Sequence, residues 1–212
     1  MSFDFKKEFK ELYKPGKEPE IIEVPKMNFL AVQGKGDPNE VNGEYQRAIN
    51  LLYPVAYTIR MSYKSDRQIP GYFKYVVPPL EGFWWQDGVK GVNLQRKDAF
   101  SWISVIRLPD FVSNDDVEWA KEEVIRKKKL DCSAVKFCTI DEGLSVQIMH
   151  LGPFDDEHFS VAKMDEFIAN EGYEKDFTDT RHHHEIYLSD VRKVEPEKYK
   201  TIIRHPVRKK NV

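Results

Sequence analysis

The segment His183-His184-Glu185-Ile186-Tyr187-Leu188-Ser189-Asp190 sets one acid among imidazole and phenol groups. It reads as a short strand. Successive strand side chains point to opposite faces, so His183, Glu185 and Tyr187 share one face and Ile186 and Leu188 take the other. A carboxylate on the face of an aromatic-rich sheet can grip a cationic ligand or act as a base on water. Burial beside aromatic walls would raise the pKa of Glu185 and make it a better base. Tyr187 or a nearby histidine could then donate a hydrogen bond to an oxygen that gains charge. The plainer alternative for Glu185 is a strand carboxylate satisfied by an Arg or Lys across the sheet.

A second group is aromatic. Trp84 and Trp85 follow Pro78-Pro79-Leu80-Glu81-Gly82-Phe83, and Trp102 lies in Phe100-Ser101-Trp102-Ile103. Flat indoles stack on planar ligands, each aromatic contact contributing about 0.5 to 1.5 kcal/mol beyond burial. Trp84 and Trp85 are adjacent, so only one of them faces inward. Glu81 reads equally as pocket lining or as a turn residue. His182 to His184 invite a metal reading, but neighbouring strand residues diverge and no Cys or acid cluster stands at ligand spacing, so neither metal nor cofactor is expected. Gly34-Lys35-Gly36 lacks the full phosphate-loop spacing, and no serine sits in a glycine elbow.

These residues need elements to hold them. After a charged leader, Glu20 to Val24 and Met27 to Gln33 read as strands, with Gly34 to Pro38 as punctuation. Tyr45, Ala48, Ile49, Leu52 and Ala56 then fall at helical spacing over about 39–60, with Pro54 expected to kink the helix or end its first half. Tyr72 to Val77 and Phe100 to Arg107 read as buried strands. A helix over 113–128 is signposted by Ser113 and Asp116 in a capping-box pattern, with basic residues closing it. Leu144 to Leu151 is a strand, Gly152-Pro153 turns the chain, and Phe159, Met164, Phe167 and Ile168 mark the core face of a helix ended by Gly172. His183 to Leu188 and Tyr199 to Arg204 supply two more strands. Arg204 to Lys210 reads as a frayed basic end.

Both halves therefore run strand, glycine turn, amphipathic helix, strand, strand. The expectation is an α+β fold of two tandem strand-helix-strand-strand modules in a pseudo-twofold relation, with antiparallel sheets, helices on one face and a ligand cleft between the modules. The whole chain, 1–212, is expected to be a single domain, with approximate halves 20–110 and 140–208 joined by the helix near 113–128.

Composition narrows the function. At 212 residues the chain can bury about 70% of its unfolded surface. Its 33 basic and 35 acidic residues argue against a polyanion binder, so no nucleic acid is expected. Two cysteines, Cys132 and Cys138, fit a reducing compartment. Met1 to Lys10 lacks a signal-peptide core, and no apolar run approaches the roughly 20 residues of a membrane helix. A cytoplasmic protein with no membrane partner is the expectation. The 4 Trp, 10 Tyr and 13 Phe are the oddity.

From about Glu20 to Val207 the sequence resembles the GyrI-like small-molecule-binding family, also found as the ligand-sensing half of some multidrug-responsive regulators. The carriers are Glu185-Ile186-Tyr187-Leu188-Ser189-Asp190, the turn His150-Leu151-Gly152-Pro153-Phe154, and His205-Pro206-Val207. The leader is too short for the helix-turn-helix of the regulators, so the chain is expected to act alone. Pro78 to Trp85, Phe100 to Ile103 and Leu108-Pro109-Asp110-Phe111 bring it nearer to a stand-alone subset resembling cyclopropanoid cyclopropyl hydrolases. That resemblance implies hydrolysis of cyclopropane-bearing, DNA-alkylating xenobiotics in an aromatic cage, a detoxification. Glu185 and Tyr187 would be catalytic there, and Trp84, Trp85, Trp102, Glu81 and His183 would bind a hydrophobic aromatic small molecule. The alternatives are a non-catalytic binder that sequesters amphipathic or cationic molecules, and a protein that inhibits a topoisomerase through its surface.

Overall fold

The structure, a computed structural model, describes residues 2–93 and 95–210. Nine strands form the framework: β1 (Glu20–Val24), β2 (Met27–Lys35), β3 (Leu80–Trp85), β4 (Ser101–Arg107), β5 (Lys136–Ile140), β6 (Gly143–Leu151), β7 (Tyr173–Lys175), β8 (His183–Tyr187) and β9 (Lys200–Lys209). Eight of them lie in the order β1-β6-β9-β8-β3-β4-β2-β5, and β7 adds to the far end of β9. Every ladder is antiparallel. The order reads the same from either end when β1, β2, β3 and β4 are equated with β5, β6, β8 and β9. The junction of the two halves is the β3–β8 ladder, and the outermost strands are exchanged: β1 pairs with β6, β5 with β2.

Three long helices, α3 (Glu44–Arg60), α4 (Asn114–Lys128) and α5 (Glu157–Asn170), cover one face. The apolar stripe of α3, Ala48, Leu52, Val55, Ala56 and Ile59, packs with Val117, Ala120 and Val124 of α4 over Leu30, Val32 and Ile106. Pro54 stays inside α3 without ending it, and Thr58 Oγ1 donates to its carbonyl at 2.8 Å. The expected capping box of α4 is present, with Ser113 and Asp116 satisfying each other's backbone amides. In α5, Met164 and Ile168 meet Val146, Ile148 and Ile203, whereas Phe159 is 65% exposed and is no core residue. It sits in the first turn of α5, on the face turned away from the sheet.

The opposite face, which helices on one side alone would leave free, is covered as well. Two short leader helices, α1 (Phe5–Glu8) and α2 (Lys10–Tyr13), bring Phe5, Leu12 and Tyr13 onto Phe29, Phe83, Ile186 and Ile202. The expected strand at Tyr72 to Val77 makes only a single bridge, Tyr75 to Phe3. Its rings pack on the leader, Phe73 and Phe3 having centroids 5.0 Å apart. Pro70, Pro78 and Pro79 bracket it and cannot donate to a ladder, so pairing resumes at β3. The frayed end expected at Arg204 to Lys210 is also corrected: β9 runs to Lys209, and Arg204 to Val207 are buried. Both cysteines are free thiols. Among the described residues no helix is long and apolar enough to cross a membrane.

Candidate functional site

The sheet register brings the chemistry-bearing residues into rows on the helix-covered face. His183, Trp84, Trp102 and Gly34 lie side by side on β8, β3, β4 and β2. The next row is Glu185, Gly82, Ser104 and Val32. Two glycines make this possible. A Cβ on Gly34 would stand 2.4 Å from the Trp102 ring, and one on Gly82 would stand 2.6 Å from Trp84 Nε1 and 3.0 Å from the Tyr187 hydroxyl. Each indole thus closely approaches a bare stretch of backbone. Tyr45, at the start of α3, closes the aromatic wall, its ring 5.2 Å from both Trp84 and Trp102. Phe100 lies 5.5 Å from Trp84, and Phe154 5.7 Å from Tyr187.

Glu185 is the hub. His183 Nε2 lies 2.8 Å from Glu185 Oε1, and the Tyr187 hydroxyl donates to Oε2 at 2.7 Å. Trp84 Nε1 can only donate, and it does so to the Tyr187 oxygen at 3.1 Å. On its other side His183 Nδ1 lies 2.7 Å from His205 Nε2. Glu157, the first residue of α5, is fully buried against Glu185, and its Oε1 has no partner. The cluster is closed to solvent, with Glu185 8% and His183 1% exposed.

The two carboxyls are driven apart. Burial and then the Glu185 charge push Glu157 well above the usual carboxylate range, so it keeps its proton. Burial also acts to raise Glu185, but hydrogen bonds from His183, Tyr187 and Glu157 outweigh it and hold the group below its ordinary value. The raised pKa anticipated for Glu185 therefore belongs to Glu157. Burial, then the Glu185 charge, lifts the Tyr187 phenol well above its usual range and keeps it a donor.

Of the residues singled out from sequence, Glu185, Tyr187, His183, Trp84 and Trp102 come together. Trp85 points to the other face and stacks on His182 at 4.3 Å. Glu81 also lies on that other face, fully buried, where it accepts from Tyr13 and His184. Glu157, His205 and Tyr45 complete the site without having been anticipated as site residues. The available signal for His205 was a polar residue in the apolar alternation Ile203, His205, Val207. Glu157 followed two aspartates at a helix start, where an acid is ordinary.

Donor atoms of Glu157, His183 and Glu185 lie within 4.8 Å of one another. Hydrogen bonds within the cluster occupy the His183 ring and both Glu185 oxygens, and a shared proton already offsets the repulsion between the acids. The acids that sequence spacing did not show beside His183 are thus supplied by the fold, in a set hydrogen-bonded within itself. Two open cavities lie elsewhere, about 440 Å³ beside Glu142 and Arg181 and about 260 Å³ between α3 and α4 near Trp119. Neither contains groups of this cluster.

Three solved structures from Listeria innocua share the fold and half of the sequence. An uncharacterized conserved protein is 51% identical with a TM-score of 0.92, covering 98% of this chain and 100% of its own. Two structures described as hydrolases are each 50% identical over the same shares, with TM-scores of 0.88 and 0.90. No match was found among the curated proteins. The model of the GyrI-like small molecule binding domain matches residues 17–208. With nearly the whole folded chain inside that match, the protein belongs to the GyrI-like small molecule binding domain family.

Proposed function

We propose that this chain is a cytoplasmic, cofactor-independent hydrolase that opens cyclopropane-bearing, DNA-alkylating small molecules by adding water. The observation that carries the reading is the placement of two buried carboxyls together, Glu185 with its oxygens engaged by His183 and Tyr187 and Glu157 pushed well above the usual carboxylate range, near the rings of Trp84, Trp102 and Tyr45. Paired carboxyls with pKa values pushed apart are the pattern of an acid and a base assigned to different tasks. The description of close relatives as hydrolases supports it.

In this reading Trp84, Trp102 and Tyr45 stack the planar body of the substrate and hold its cyclopropane CH₂ near Glu185. Water attacks that carbon while Glu185 takes its proton. The cyclopropane C–C bond breaks, and its electron pair passes through the conjugated ring to the dienone oxygen, which becomes a phenolate. The proton returns from Glu185 by way of solvent to that oxygen, so hydroxyl ends on carbon and hydrogen on the phenol. Glu157 Oε1, buried and unpartnered, is placed to accept the second hydrogen of the attacking water.

The test is incubation of the purified protein with a duocarmycin-like cyclopropanoid beside Glu185→Gln and Glu157→Gln variants, with product followed by mass spectrometry. Multiple turnovers of a water adduct, lost in the variants, are expected. Tight binding without water addition would overturn the hydrolase reading in favour of a sequestering module whose anionic cage takes up amphipathic or cationic molecules.

A further inference from the structure

His205 lies outside the aromatic cage, yet it ends the hydrogen-bond chain that runs through Glu185. Buried at 2% exposure, it touches His183 through Nε2 at 2.7 Å, while its Nδ1 has no partner. An orphaned buried N–H is rarer and costlier than an orphaned acceptor, so the unpartnered Nδ1 is the bare nitrogen and the proton sits on Nε2. Nε2–H then donates to His183 Nδ1. With that nitrogen accepting, His183 carries its proton on Nε2 and donates to Glu185 Oε1 at 2.8 Å. From the other end Trp84 donates to Tyr187 and Tyr187 donates to Glu185. Both arms run inward toward one carboxylate.

We propose that His205 is a positioning residue: by donating to His183 Nδ1 it fixes the tautomer that donates to Glu185, and so keeps the negative charge on Glu185 and the proton on Glu157. The proposal rests on the hydrolase reading for its meaning, though not for its measurement. Without the His205 donor, His183 is free to carry its proton on Nδ1, and Nε2 would then present a lone pair to Glu185. The shared proton would move from Glu157 to Glu185, and Glu185 could no longer take a proton from water. The ionisable groups facing Glu185 are His183 and Tyr187 on its own strand, Glu157 from α5 and Tyr45 from α3. Facing His205 are His183 and Lys175 of β7; burial first, and then the Lys175 charge, push His205 well below the usual histidine range and keep it uncharged.

The experiment uses the unliganded full chain. In ¹⁵N spectra, His183 and His205 are both expected as Nε2–H tautomers. With ¹³C-labelled glutamate carboxyls, His205→Leu should raise the Glu185 titration by at least about one pH unit, a tenfold change, and His205→Gln, whose amide N–H replaces the donor, should restore it. If the hydrolase reading holds, the acid limb of the pH–rate profile moves by the same amount. A wild-type His183 protonated on Nδ1, an unmoved Glu185 titration in a folded His205→Leu, or a His205→Gln that behaves like His205→Leu would each overturn the proposal. Should His205→Leu fail to fold, the wild-type tautomers and the His205→Gln titration decide it. A wild type without turnover whose Glu185 still shifts as expected would sink the hydrolase reading and support the relay.

Discussion

His183 and His184 are neighbours in sequence and stand at the centres of two different carboxylate clusters, one on each face of the sheet. On the leader-covered face, His184 contacts Glu81 at 3.0 Å and Glu142 at 2.9 Å, and Arg204 reaches Glu142 at 2.9 Å. Arg204 also donates to Gln147 and to the Leu12 carbonyl, and Gln147 donates to the Glu11 carbonyl, so the cluster nails the leader to the sheet. Two acids there meet a permanent cation and a histidine with both ring nitrogens engaged. On the helix-covered face, among the described residues, no Arg or Lys forms an ion pair with either acid; Lys97 acts on Glu157 while paired with Asp155 at 2.6 Å. A fixed counter-charge satisfies a buried acid and makes it structural; a shared proton leaves it able to exchange. The first cluster holds the leader to the sheet, and the second keeps a proton that can exchange between its acids.

The sharpest way to break this contrast is to remove one carboxylate from the helix-covered side. Glu185→Gln should cut turnover by about 10²- to 10⁴-fold with little change in the denaturation midpoint, measured by product formation and by urea unfolding. The reverse test is Arg204→Met, which leaves Glu142 buried without its cation. It should cost about 3–5 kcal/mol of stability in denaturant titrations while the folded fraction keeps its turnover. Next in size, Gly82→Ala drives a methyl into Trp84 and Tyr187; about 1–3 kcal/mol of overpacking is expected, with loss of the Trp84–Tyr187 hydrogen bond seen in tryptophan indole N–H spectra.

Acid should also distinguish the faces. Burial acts to raise Glu142, but His184 and Arg204 overcome it and hold the group at about 2 against an ordinary 4.5. Its folded pKa is depressed, so its contribution is present above pH 4.5 and is lost as pH falls from there toward 2. Burial works to lower His184, but Glu142 and Glu81 raise it above 6.5, so its contribution is full below 6.5 and lost as pH rises through the raised value. The cluster stabilises most between these limits. Wild-type Tm should therefore drop below pH 4.5, and Glu142→Gln should flatten that drop. Smallest of all, Trp85→Ala should change turnover less than twofold, since Trp85 faces away from the cage.

Much of this was legible from sequence where the physics is local. The alternation through His183, Glu185 and Tyr187 put three side chains on one face, and the Ser113–Asp116 capping box marked the start of α4. Tyr72 to Val77 was misread because its β-forming residues bind the leader instead of a strand, a tertiary choice that composition does not reveal. Glu157 escaped notice because its role depends on α5 landing opposite β8, and nothing in the acidic start of a helix announces that. The same holds for Gly34 and Gly82, which are bare because indoles from other positions rest on them.

The exchanged outer strands carry a consequence for how the chain reaches its native state. Residues 20–24 close the sheet only when residues 143–147 are available, and residues 27–31 receive β5 from beyond α4. Each half lends its first strand to the other, like two people clasping wrists, so neither half owns a complete sheet. Folding must bring together segments more than a hundred positions apart before either side is finished, which makes for slow, all-or-none assembly. A chain cut in the α4–β5 connection should yield two pieces that stay unfolded singly and recover the structure only when mixed.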